Sequence, residues 1–125
     1  AHILAVDDDR DLCTLLKTAL ERDGHTVETR TSGTQLTDTL CRWADCILLD
    51  VMMPGEDGFA TCARIRALAA CPILFLTAKT QAPHPLRQMQ NVLYFPAEAV
   101  LTILKHLDDA ISGVKHNPAI PFSRN

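Results

Sequence analysis

The sequence predicts an α/β fold: a doubly wound parallel sheet of five strands, covered by helices on both faces. Two observations carry this. Short apolar runs recur at Ile3 to Val6, Cys46 to Leu49 and Ile73 to Leu76, the pattern of strands buried on both faces. Between them, apolar residues recur at helical spacing. The two patterns alternate along the chain, the βα order that leads to a parallel sheet with helical crossovers.

Taken in order, Ile3-Leu4-Ala5-Val6 is the first strand. After Asp7-Asp8-Asp9, the spacing of Leu12, Leu15, Leu16, Ala19 and Leu20 predicts an amphipathic helix. Acids in its first turn suit the helix dipole, and Gly24 ends it. His25 to Arg30 alternates weakly, as an edge strand does. Ser32 is placed to cap a second helix with Leu36, Leu40 and Trp43 on one face. Cys46 to Leu49 is the third strand, and Phe59, Cys62, Ile65 and Ala69 mark the third helix. Pro72 opens the fourth strand, Ile73 to Leu76. Pro83 and Pro85 confine the fourth helix to a short segment. Val92 to Phe95 is the fifth strand, and Val100, Ile103, Leu104, Leu107 and Ile111 stripe the last helix. Residues 1–112 therefore read as one domain. Gly113 to Asn125, with Pro118 and Pro121, reads as a tail or the start of a linker to an effector domain outside this chain.

Composition narrows the function classes. A chain of 125 residues with 47% hydrophobic and 22% charged residues suits a globular domain with one core. A net charge of -3 argues against a domain that itself grips a phosphate backbone. No apolar stretch approaches membrane-spanning length, and the N-terminal run lacks a signal-peptide layout. The five cysteines include no Cys-x-x-Cys pair. They read as small apolar residues in a reducing cytoplasm rather than as a disulfide framework or a zinc site. The five histidines have no metal-ligand spacing.

In a doubly wound sheet, ligands bind outside the carboxyl ends of the strands. Three predicted strands end there in reactive residues: Asp7-Asp8, Asp50 and Thr77. Each has an ordinary structural explanation, since acids cap helices and Thr is common in strands. Together they suggest a site. Converging carboxylates repel one another unless a cation lies among them, and Mg²⁺ takes oxygen ligands of this kind together with a substrate phosphate. Asp50 could then act as a nucleophile toward phosphorus, with the Thr77 hydroxyl donating to a phosphoryl oxygen.

The segments "ILAVDDDR", "ILLDVMMPGEDGF" and "ILFLTAK", in this order, resemble the receiver domains of bacterial two-component response regulators. The subfamily with a winged-helix DNA-binding domain is the most similar. The resemblance implies a flavodoxin-like fold and a domain that phosphorylates and dephosphorylates itself, rather than an enzyme with a separate substrate. It implies Mg²⁺ held by Asp7, Asp8, Asp50 and the Met52 main-chain carbonyl, with Asp50 as phosphoacceptor and Thr77 as switch hydroxyl. Small Ala78 would leave the site open. A sensor histidine kinase is the implied phosphodonor. Homodimerisation through the fourth helix, fifth strand and last helix is possible, and DNA would be reached only through the absent effector domain.

The chain departs from the family in "NVLYFP". Phe95 stands where the family has a phosphate-pairing Lys, and Val92 stands at the position of its switch aromatic. Lys79 is the candidate substitute cation; an exposed loop lysine is the alternative. Two other functions stay open. One is a phosphorylation-independent interaction module. The other is an aspartyl-nucleophile phosphatase of the haloacid-dehalogenase type, with Asp7 and Asp9 as its Asp-x-Asp pair. Only the receiver reading requires Asp50 to carry the phosphate.

Overall fold

A computed structural model describes residues 1–50, 58–77 and 92–96 of the chain. Within them lie strands β1 (His2–Val6), β2 (Thr26–Arg30), β3 (Cys46–Asp50), β4 (Ile73–Thr77) and β5 (Val92–Pro96), and helices α1 (Arg10–Arg22), α2 (Asp38–Trp43) and α3 (Gly58–Leu68). The five strands form one parallel sheet in the order β2-β1-β3-β4-β5. This is the doubly wound, flavodoxin-like order, which reverses direction between β1 and β3. The expected fourth helix, last helix and C-terminal tail lie outside the described residues.

The continuous apolar runs divide by alternation into two cores. Leu4, Val6, Ile47, Leu49, Ile73 and Phe75 turn to one face and pack with Cys41 of α2 and with Cys62 and Ile65 of α3. Ile3, Ala5, Cys46, Leu48, Leu74 and Leu76 turn to the other and pack with Leu16 and Leu20 of α1. Helices thus cover both faces, as the strand composition requires.

Two details differ from the sequence expectation. Leu15, assigned to the buried stripe of α1, is 53% exposed, and Cys13 is buried instead. Cys13, Leu16 and Leu20 follow a tighter line down the helix, and a stripe this narrow has no room for Leu15. The second helix is also split. Ser32 caps only a short 3-10 turn, Gly33–Gln35, where the Gln35 side chain reaches back in a capping box. Leu36 then runs extended, and Thr37 caps α2 by accepting from the Leu40 N–H at 3.1 Å.

The end of α1 follows expectation. Gly24 takes φ +93°, its N–H donates to the Glu21 carbonyl and the His25 N–H to the Leu20 carbonyl. This is a Schellman closure, which feeds the chain directly into β2. At the same end of the sheet, the His2 N–H donates to Asp45 at 2.8 Å and the Asp45 N–H donates to the His2 carbonyl at 2.7 Å. The His2 ring stacks on Trp43 with centroids 4.5 Å apart. These contacts fix where β1 and β3 begin, and so where they end.

Leu16 and Leu15 make a direct test of the α1 face. We expect Leu16→Ala to lower unfolding free energy by about 2–5 kcal/mol, and Leu15→Ala by less than about 0.5 kcal/mol, in urea melts. Equal losses would mean that the two side chains are buried alike.

Candidate metal and phosphoacceptor site

Asp7 is the first residue after β1, Asp8 follows it, and Asp50 is the last residue of neighbouring β3. A carboxylate oxygen from each lies within 4.8 Å of the other two. In an octahedral shell with metal–oxygen distances of about 2.0–2.1 Å, adjacent ligands are about 3.0 Å apart and opposite ones about 4.2 Å. The three acids therefore fit a small, hard divalent ion with only slight closure, and all their donors are oxygen.

Asp7 is the most constrained of the three and only 5% exposed. Its N–H donates to the Arg30 carbonyl at 3.0 Å, and its carbonyl accepts from the Cys13 thiol at 3.3 Å. Its Oδ1 accepts from the Asp9 N–H at 2.9 Å. Burial pushes the Asp7 carboxyl up to about 7; the Asp9 N–H opposes this, while the charge of Asp50, a carboxyl hydrogen bond with Asp50 and the charge of Asp8 add to it. Without a cation, burial and its acidic neighbours favour the protonated form of Asp7. Burial also raises the Cys13 thiol, with Asp7 adding to it, so the sulfur remains an S–H donor to the Asp7 carbonyl.

Asp9 does different work. Its Oδ1 accepts from the N–H groups of Asp11 at 3.0 Å and Leu12 at 3.1 Å, which makes it the N-cap of α1. The cluster is Asp7, Asp8 and Asp50, so the Asp-x-Asp pairing of Asp7 with Asp9 is not what the fold builds.

The remaining expected site residues are placed only in part. Thr77 ends β4, one residue beyond Leu76, which pairs with Asp50. Met52, Ala78 and Lys79 lie outside the described residues. Phe95 pairs with Leu76 and Pro96 with Thr77, so the chain position that lacks the Lys stands level with the ends of β3 and β4. Val92, in place of the family's aromatic, is buried in the core. Sequence reasoning missed Cys13 and the Arg30 carbonyl as the groups that hold the Asp7 backbone. The helical spacing of Cys13 from Leu16 and Leu20 was the available signal; the Arg30 contact depends on strand register.

The family described as the response regulator receiver domain matches residues 3–110. The chain belongs to that family. Among curated proteins it is 49% identical over 81 residues to the transcriptional regulatory protein SpaR of Bacillus subtilis, covering 65% of this chain and 37% of that one. It is 44% identical over 77 residues to the transcriptional regulatory protein CpxR of Escherichia coli, covering 62% and 33%. Each match thus spans well under two thirds of the relative's length. Among solved structures, the non-phosphorylated receiver domain of HemR from Leptospira biflexa superposes with a TM-score of 0.75 at 28% identity, over 89% of this chain and 94% of that one.

The site makes stability pH-dependent with a definite sign. Between the ordinary 3.8 of Asp7 and about 7, the folded state holds a proton that the unfolded chain has released. Stability from this group is present at the acid end and falls as pH rises through the window. We expect the melting temperature of the metal-free protein to drop across it, and added Mg²⁺ to raise that temperature more near pH 8 than near pH 5 (about those values). Asp7→Asn should flatten the slope and remove the Mg²⁺ effect. A wild-type slope no different from that of Asp7→Asn would mean that Asp7 is ionised throughout.

Proposed function

We propose that Asp50 is the phosphoacceptor of this receiver domain and that Asp7, Asp8 and Asp50, with the Met52 main-chain carbonyl, hold Mg²⁺. The observation that carries this is the convergence of the three carboxylates at the carboxyl edge of β1 and β3. The bound ion would neutralise phosphoryl oxygens and so lower the barrier to attack by an anion. A carboxylate oxygen of Asp50 forms a bond to phosphorus as the bond from phosphorus to the donor breaks, leaving an acyl phosphate. Asp7 must release its proton for the ion to bind. Thr77 is the hydroxyl assigned to the transferred group, small Ala78 leaves the approach open, and Lys79, two residues after Thr77, is the candidate substitute cation.

The donor in this reading is a sensor histidine kinase, and the domain acts on itself rather than on a separate substrate. Its output is transcriptional, through an effector domain that residues 113–125 would link to it, in the cytoplasm. Self-association through the fourth helix, β5 and the last helix belongs to the same reading.

Phe95 supports a weaker response to phosphate than a receiver with Lys at that place. A phosphoryl group shifts a conformational equilibrium only through contacts that differ between the two states, and the missing cation removes one such contact.

Incubation with Mg²⁺ and acetyl phosphate, followed by intact mass, should give a single phosphoryl adduct that is absent without Mg²⁺ and absent in Asp50→Asn. Phosphorylation should change the affinity for the partner kinase by less than ~100-fold, about 2.7 kcal/mol. Phe95→Lys should widen that change by at least ~10-fold. No adduct under any of these conditions would refute the assignment of Asp50.

A further inference from the structure

The sheet order leaves β2 at an edge, with no described strand beyond it. The direction of its outward groups follows from two hydrogen bonds: the Thr26 N–H donates to Ala1, and the Arg30 carbonyl accepts from Asp7. Even-numbered residues therefore turn their backbone toward β1. By alternation, Val27 and Thr29 turn theirs outward.

The side chains on this strand have a second regularity. Glu28 and Arg30 share one face and lie 3.2 Å apart, each partly exposed. They line a groove of about 410 Å³ between β2 and α2, together with Thr26, Thr37, Leu40 and Trp43. Charges on an edge strand ordinarily discourage pairing. A Glu and an Arg two residues apart do the reverse under a two-fold axis, because each then meets its opposite.

We infer that β2 is an interface for a second copy of this chain, paired antiparallel about a two-fold axis centred on Thr29. Outward backbone groups belong to odd-numbered residues, so the axis can pass through Val27, Glu28 or Thr29. A centre at Val27 sets Glu28 against the partner's Thr26 and leaves Arg30 beyond the strand. A centre at Glu28 sets two glutamates face to face, which is destabilising. Only the centre at Thr29 sets Glu28 against the partner's Arg30 and Arg30 against the partner's Glu28. In that register each Thr29 N–H donates to the partner's Thr29 carbonyl, and the Val27 N–H meets the partner's Thr31 carbonyl. In the single chain the Thr29 carbonyl accepts from Arg30 Nη1 at 2.7 Å, so pairing turns that guanidinium from its own strand to the partner's Glu28. The Thr31 N–H already donates to Gln35 at 2.9 Å, so the ladder stops there. Residues opposite one another in a sheet point to the same side. The two grooves therefore join into one trough that receives the swapped ion pairs. β5 lies at the other edge of the sheet and stays clear of this contact.

Sedimentation of the 125-residue chain over a concentration series tests the interface. Glu28→Arg and Arg30→Glu should each weaken self-association by at least ~10-fold, and the two together should restore it to within ~3-fold of wild type. The double variant also re-forms the ion pair within each strand, so unchanged thermal melts of the dilute single variants are what separate lost association from misfolding. In parallel, the Val27 and Thr29 amides should gain protection from hydrogen exchange as protein concentration rises. A chain that stays monomeric up to ~1 mM, self-association that ignores both charge reversals, or a double variant no stronger than the singles would each overturn the inference.

Discussion

The burial of β1 and β3 on both faces governs where this chain can place a charge. Ile3 to Val6 and Cys46 to Leu49 are almost wholly withdrawn from solvent, and an unpaired carboxylate among them would be strongly disfavoured. The first position on each path where an acid is tolerated is the end of the strand, and there stand Asp7 and Asp50. Because β1 and β3 are neighbours, the acids that end them are brought side by side. Their repulsion follows from the topology. It can be relieved by a proton, as the raised Asp7 carboxyl indicates, or by a cation, which all three oxygens can reach together.

The neighbouring elements hold this arrangement in place rather than merely surrounding it. The Asp9 cap starts α1 two residues after Asp7, and the turn this creates aims the Asp9 N–H at the Asp7 carboxylate. Leu16 and Leu20 hold α1 against the sheet, which brings the Cys13 thiol to the Asp7 carbonyl. On the other side, β2 supplies the Arg30 carbonyl. Packing of one helix and pairing of one edge strand therefore converge on the same residue. A change that loosens α1 would shift the Asp7 carboxylate as well as reduce stability.

Much of this was legible in the sequence because strand ends and helix stops are local events. The four-residue apolar runs, the acids that end them, Gly24 and Pro72 each act within a few residues of where they stand. What was not legible depends on partners distant in sequence or on competition between similar signals. Cys13 and Leu15 are both apolar and two positions apart on α1, and only the way the helix turns as it packs against the sheet decides between them. Ser32 and Thr37 are both good caps. Gln35 settles the matter by folding back on Thr31 and Ser32, which spends Ser32 on a short turn and leaves Thr37 to start the helix. The role of Arg30 as a backbone acceptor comes from register, for which its side chain gives no clue.

The acids and the groups expected to respond to them are specified differently. Asp7, Asp8 and Asp50 are set at adjoining strand ends by the sheet itself, so they survive as long as β1 and β3 are buried and paired. A response to phosphate relies instead on side chains beyond β3, at the ends of β4 and β5, where the sheet fixes only the position of the backbone. Pairing of Phe95 with Leu76 and of Pro96 with Thr77 keeps that backbone level with the site whatever side chain occupies position 95. Substitution there can remove a cation without disturbing the strand that carried it. The fold thus permits acceptance of a phosphoryl group and the response to it to change independently; in the proposed function, Phe95 weakens the second while the residues assigned to the first stay in place.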